Sequence, residues 1–163
     1  MTISIQFEVE DGTGKTNATT YASITQYKQY WLNRMITITD SDTVIEGLLN
    51  VAAEYIDLNF KFIGFKSDVE QRREWPRCIN DQSIYNDMID SDEIPVEIVD
   101  ACCYLAYQNK LNNLWPIDGG VSSRSIGPVS TSYKRYEGFK SFPYVDTLLS
   151  KYLSSMPGII RVN

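Results

Sequence analysis

Gly12-Thr13-Gly14-Lys15-Thr16 is the part of this chain that most resembles a chemical motif, because it has the ending of a phosphate-binding loop. Such a loop wraps a phosphate in glycine-rich backbone N–H groups ahead of a helix N-terminus. Here Val9 stands where the first glycine is required, and the residues after Thr16 (NATTY) open a helix badly. No later apolar strand ends in an Asp that would hold magnesium. The segment reads as a turn with a solvated lysine, and no nucleotide chemistry is expected of it.

Two further groupings invite a chemical reading. Asp81, Asp87, Asp90, Asp92 and Glu93 crowd one stretch, but calcium loops alternate their ligands around a fixed glycine, and this stretch has neither feature. A solvated acidic face is the better reading. Lys61, Lys66, Arg72, Arg73 and Arg77 interleave with Phe60, Phe62, Phe65 and Trp75, the pairing of basic groove and aromatic platform that single-strand binders use. Asp68, Glu70 and Glu74 dilute the patch, so core or interface packing is favoured.

Histidine is absent, which removes the commonest general base and metal ligand. The three cysteines, Cys78, Cys102 and Cys103, suit neither a disulfide framework nor a metal spacing, and the adjacent pair reads as small apolar residues in a buried helix. No constellation of nucleophile, base and orienting group emerges, so no enzyme, cofactor or metal is expected.

The elements that position these residues follow from periodicity. Residues 2–10 alternate, with Ile3, Ile5, Phe7 and Val9 on one face, and predict a half-buried strand. Ser23 and Gln26 form a capping box before Ile24, Tyr27, Trp31 and Met35, predicting a helix over about 23–35. A second helix over about 41–62 carries Ile45, Leu48, Leu49, Ala52, Tyr55 and Ile56 on one stripe, with Gly64 as its stop. Residues 64–94 lack a period and read as a long loop. Pro95 opens a third helix, 95–114, apolar nearly all round and therefore central. Residues 121–136 straddle Gly127-Pro128 as extended chain or a long hairpin, and Pro143 opens a last helix, 143–154.

The fold class is mainly α: an antiparallel helical bundle with an extended N-terminal strand and a β-hairpin-like excursion. One domain, 1–153, is followed by a tail, 154–163. No apolar run approaches the ~20 residues of a membrane span, and the alternating N-terminus is neither a signal nor a transit peptide. Net charge is −6, unevenly spread. Residues 1–60 hold three basic and eight acidic side chains, and 78–120 hold one and eight; 61–77 hold five and three, and 121–163 hold six and two. An acidic body with a basic C-terminal third suits a subunit meeting a differently charged neighbour better than one coating nucleic acid. Eleven tyrosines and three tryptophans add aromatic area of the kind enriched at interfaces.

Several segments, in order, resemble phage head–tail connector proteins, a family many of whose members carry a DnaT-like single-stranded-DNA-binding label. They are Asp11-Gly12-Thr13-Gly14, Ala18 to Tyr21, Ala52-Ala53 with Tyr55-Ile56-Asp57, Phe62 to Gly64, and Gln71-Arg72-Arg73-Glu74-Trp75-Pro76-Arg77. Ile94-Pro95-Val96, Ile126-Gly127-Pro128-Val129 with Tyr133, and Pro143-Tyr144-Val145-Asp146 with Leu148 and Leu149 complete the series. The sequence departs from the family in Arg72-Arg73-Glu74 before the tryptophan and in Asn80-Asp81-Gln82 after the arginine.

The resemblance implies a structural adaptor in the virion neck, assembled in the host cytoplasm as a ring, expected to be a dodecamer. It would bind the portal protein above and a tail or neck protein below, with DNA passing through the lumen unbound. Trp75, Pro76 and Arg77 are the candidate subunit interface. Ile159, Ile160, Arg161 and Val162 are the candidate portal-docking residues, since Pro157-Gly158 frees a strand-like tail too short for a core. The alternative is a single-stranded-DNA-binding accessory protein, resting on the 61–77 patch and the family label.

Overall fold

The structure, a computed structural model, describes residues 4–79, 89–115, 123–126, 129–132 and 141–154. Four helices dominate it: α1 (Ile24–Leu32), α2 (Asp42–Asn59), α3 (Val96–Leu111) and α4 (Pro143–Leu149), the last continued by a 3-10 turn, Ser150–Tyr152. The fold is mainly α. α3 touches each of the other three helices, as its nearly all-round apolar surface requires. It buries Ile98, Ala101, Cys102, Cys103, Leu105 and Ala106. Among the described residues, no helix is long and apolar enough to cross a membrane.

α1 begins where the capping box predicts. The Ser23 hydroxyl accepts from Gln26 N–H at 3.1 Å and the Gln26 side chain accepts from Ser23 N–H at 2.8 Å. It ends three residues before 35, because Met35 turns left-handed at φ 62° and Ile36 N–H closes on Trp31 C=O at 2.9 Å. That turn swings Met35 off the buried stripe, leaving it 93% exposed. α2 likewise stops short of 62: Phe60 is extended, and Phe62 reaches the core from the loop instead. Gly64 has φ 73° but caps no helix; it turns the chain into β1, and a Cβ there would lie 2.2 Å from the Cys78 carbonyl oxygen.

Pro95 is the N-cap of α3, not its first residue, and the helix ends at Leu111, three residues before 114. Leu114 is still buried, its N–H held by Asn109 Oδ1 at 3.2 Å. α4 is shorter than 143–154 because its last turn tightens to 3-10.

The N-terminal strand does not form over its described part. Residues 4–10 take up no regular element, and only the end of the segment finds a bridge partner, with Val9 bridging Thr20 in parallel. Glu10 N–H donates to Thr20 C=O at 2.9 Å, and Thr19 N–H to Glu8 C=O at 2.7 Å. In the 64–94 loop, β1 (Phe65–Lys66) and β2 (Arg77–Cys78) make a two-residue antiparallel ladder. The excursion expected over 121–136 contains β3 (Ser123–Ile126) and β4 (Val129–Ser132), paired antiparallel from Ser123↔Ser132 to Ile126↔Val129.

Candidate functional site

The segment from Gln71 to Arg77 is where the candidate site residues gather, and it points largely inward. Gln71, Arg73, Trp75, Pro76 and Arg77 are buried, while Arg72 is exposed. Gln71 folds the loop on itself: its amide donates to the carbonyls of Arg73 (2.9 Å) and Pro76 (3.0 Å) and accepts from Asp68 N–H (2.9 Å). Trp75 is wholly buried, with ring edges against Phe62 (5.6 Å between centroids) and Tyr152 (5.4 Å). Among the described residues its indole Nε1 has no hydrogen-bond partner, so it serves as apolar bulk.

Both inward arginines are consumed by the fold. Arg73 Nη1 pairs with Asp57 Oδ2 at 3.0 Å and Nε donates to Ala18 C=O at 3.2 Å. Arg77 donates to the carbonyls of Ile63 (2.9 Å), Gly64 (2.8 Å), Phe62 (3.4 Å) and Glu74 (3.1 Å), and to Glu74 Oε2 (2.7 Å). A rigid five-donor fork is suited to gathering carbonyls that have no secondary-structure partner. Arg77 thus pins the 62–64 turn to the 74–77 segment.

Asp57 and Tyr21 complete this network, and sequence reasoning assigned neither a role. Tyr21 donates its hydroxyl to Asp57 Oδ1 and accepts the N–H groups of Glu74 (2.9 Å) and Trp75 (3.2 Å). Burial raises the Asp57 carboxyl to about 6, with the Arg73 charge and the Tyr21 bond working against the rise. Burial and the adjacent Asp57 push the Tyr21 phenol well above its ordinary value. A carboxylate inside the apolar run of α2, after Tyr55-Ile56, was the available signal.

The sequence expectation made Trp75, Pro76 and Arg77 a subunit interface. The structure buries all three within the chain. The basic and aromatic patch is dispersed as well. Phe62 and Trp75 are buried, Lys66 pairs with Glu74 at 3.2 Å, and only Lys61, Phe65 and Arg72 of the grouping are fully on the surface.

The glycine turn has its own ligand. Glu10, 2% exposed, accepts from Gly12 N–H (3.1 Å) and Gly14 N–H (2.9 Å) through Oε1 and from Lys15 N–H (2.8 Å) through Oε2. The N–H groups that a phosphate would need are filled by a carboxylate of the same chain. Lys15 Nζ reaches Val9 C=O (3.0 Å) and Asp11 (2.9 Å). The Thr13 hydroxyl and Lys15 draw the Asp11 carboxyl down to about 2.

Of the acidic stretch, Asp81 and Asp87 lie outside the described residues; Asp90, Asp92 and Glu93 are exposed. Among the described residues, no cluster of His, Cys, Asp or Glu is arranged to hold a metal. Cys102 and Cys103 are buried in α3, and burial raises the Cys102 thiol to about 11. The docking candidates Ile159, Ile160, Arg161 and Val162 lie outside the described residues.

A small, mainly helical protein whose basic segment is turned into its own core is therefore the class that fold and site define. Residues 5–163 match the family described as "Putative DnaT-like ssDNA binding protein", and the chain belongs to that family. No curated protein and no solved structure matches it.

Proposed function

We propose that this chain is a non-enzymatic structural subunit, a head-to-tail adaptor of a tailed phage that forms a ring below the portal. The observation that carries the reading is the inward turn of Arg73, Trp75 and Arg77, which spends the chain's most nucleic-acid-like segment on internal architecture. The chain as a whole carries a net charge of −6. A surface of that sign repels phosphate and would line a passage for DNA without holding it. In this reading the ring is a dodecamer, and the tail residues Ile159 to Val162 engage the portal.

The second reading is single-stranded-DNA binding, and the family's description favours it more directly than it favours an adaptor. Phosphate binding makes affinity fall steeply with salt, so the two readings separate cleanly. Titrating a labelled oligonucleotide at low and high salt should show no retained complex for an adaptor. A tight, salt-dependent complex would transfer the assignment to the second reading. Mass spectrometry of purified virions, followed by imaging of the neck, tests the adaptor directly.

A further inference from the structure

Two features of the backbone are incomplete in a single copy, and each has what the other lacks. The first is the N-terminal segment. Glu8 and Glu10 direct their main-chain groups toward Thr19 and Thr20, and Gln6 C=O accepts from Asn50 at 3.0 Å. In extended chain, successive residues point their N–H and C=O groups to opposite sides. Gln6, Glu8 and Glu10 bond on alternate residues in this way, which leaves Ile5 and Phe7 for the other side, and among the described residues none of their main-chain groups has a hydrogen bond. These open main-chain groups offer a place for another strand to pair.

The second feature is the β3–β4 hairpin. The two strands pair with each other and pack on no other described helix or strand. An isolated two-stranded hairpin is marginal in water and gains stability from a third strand. The charges are complementary too. The hairpin lies in the region of six basic and two acidic residues, and the open edge lies in the region of three and eight.

We propose that the β3–β4 hairpin of one copy adds as a strand to the Ile5–Phe7 edge of the next copy. Main-chain hydrogen bonds supply the attachment and opposite charge sets which copy meets which. Because the donor and acceptor surfaces differ, the contact is head-to-tail, the kind that closes into a ring when its rotation allows. The inference rests on the self-assembly in the proposed function and names the element that joins the copies.

The test is amide hydrogen exchange on the full chain, with native mass spectrometry reporting the oligomer in the same samples. On assembly, the Ile5 and Phe7 amides should slow by about tenfold or more. Replacing residues 123–132 by a Gly-Ser linker of equal length should abolish that protection and the oligomer. Ile5→Pro removes the free donor and should weaken assembly, whereas Ile5→Ala, which also loses the side chain, should assemble far better. Oligomers formed without protection at Ile5 and Phe7 would overturn the hairpin contact and leave the ring standing. Protection that survives loss of the hairpin would show that another strand fills the edge, also overturning it. A chain that stays monomeric at every concentration would remove the ring and the hairpin contact together.

Discussion

The hydroxyl of Tyr21 donates to the carboxylate of Asp57 and so ties the loop before α1 to the last turns of α2. The same oxygen accepts the N–H groups of Glu74 and Trp75, so one atom fixes the entry to the tryptophan. Tyr21→Phe leaves those two N–H groups and a carboxylate oxygen short of a partner. It should cost about 2–3 kcal/mol, at the upper end for a buried polar group left unsatisfied. Urea denaturation measures it, and a loss under half a kcal/mol would mean the network is dispensable.

Asp57 makes stability depend on pH. Burial holds its carboxyl up at about 6 against an ordinary 3.8, so between those values the folded chain binds more protons than the unfolded one. The contribution of this group is full below about 4 and is lost as pH rises through 6. The difference in unfolding free energy between the wild type and Asp57→Asn should therefore shift against the wild type from pH 4 to pH 7. The change should be on the order of 2 kcal/mol. A difference that is flat with pH would show that Asp57 is not held up.

Trp75→Ala empties the centre of the core and should cost about 3–5 kcal/mol. Trp75→Phe should cost much less, since the buried Nε1 has no partner to lose. Trp31 is the contrast, because its Nε1 donates to Cys103 C=O at 3.2 Å. Thermal unfolding of the two variants ranks them, and equal losses for Trp75→Phe and Trp75→Ala would contradict the packing account.

Met35→Gly should stabilise the chain. A non-glycine residue in the left-handed region costs about 1–2 kcal/mol, and Met35 holds φ 62° there while almost fully exposed. Glycine relieves that strain at the expense of about 0.5–1 kcal/mol of unfolded-state entropy. A midpoint raised by roughly 2 °C is expected for a chain of this size, and a lowered midpoint would mean that the methionine packs on something.

Calorimetric titration with ATP and magnesium should show no binding, and Lys15→Ala should leave the thermal midpoint where it is. Glu10→Ala is the informative change. It strips three N–H groups of their acceptor and should destabilise the chain by about 1–3 kcal/mol. Nucleotide binding by the wild type that disappears in Lys15→Ala would contradict this account of the turn.

Local rules were legible in the sequence wherever a helix depended on its own residues. The Ser23–Gln26 box, the stripe of α2 and the all-round apolar surface of α3 are cases of this kind. Helix ends were less legible, because Met35 and Phe60 leave the helix through backbone turns that periodicity does not register. The N-terminal alternation was real, but a strand also requires a partner along its length, and only Glu8 to Glu10 have one. Inward packing of the 61–77 patch was legible as well, but the partners that hold it were not: Arg73 and Arg77 bond carbonyls of Ala18 and of residues 62–64, which lie elsewhere along the chain.

The occupied glycine turn also bears on how the chain ages. Asp-Gly pairs rearrange to isoaspartate when the glycine nitrogen attacks the preceding side-chain carboxyl. At Asp11-Gly12 both reacting groups are held: the nitrogen donates to Glu10, and the carboxyl is bound by Thr13 and Lys15. Peptide mapping of stored protein should find little isoaspartate at Asp11 while Glu10 is present and more in Glu10→Ala. The carboxylate that fills the turn would then act as a preservative for the peptide bond it encloses.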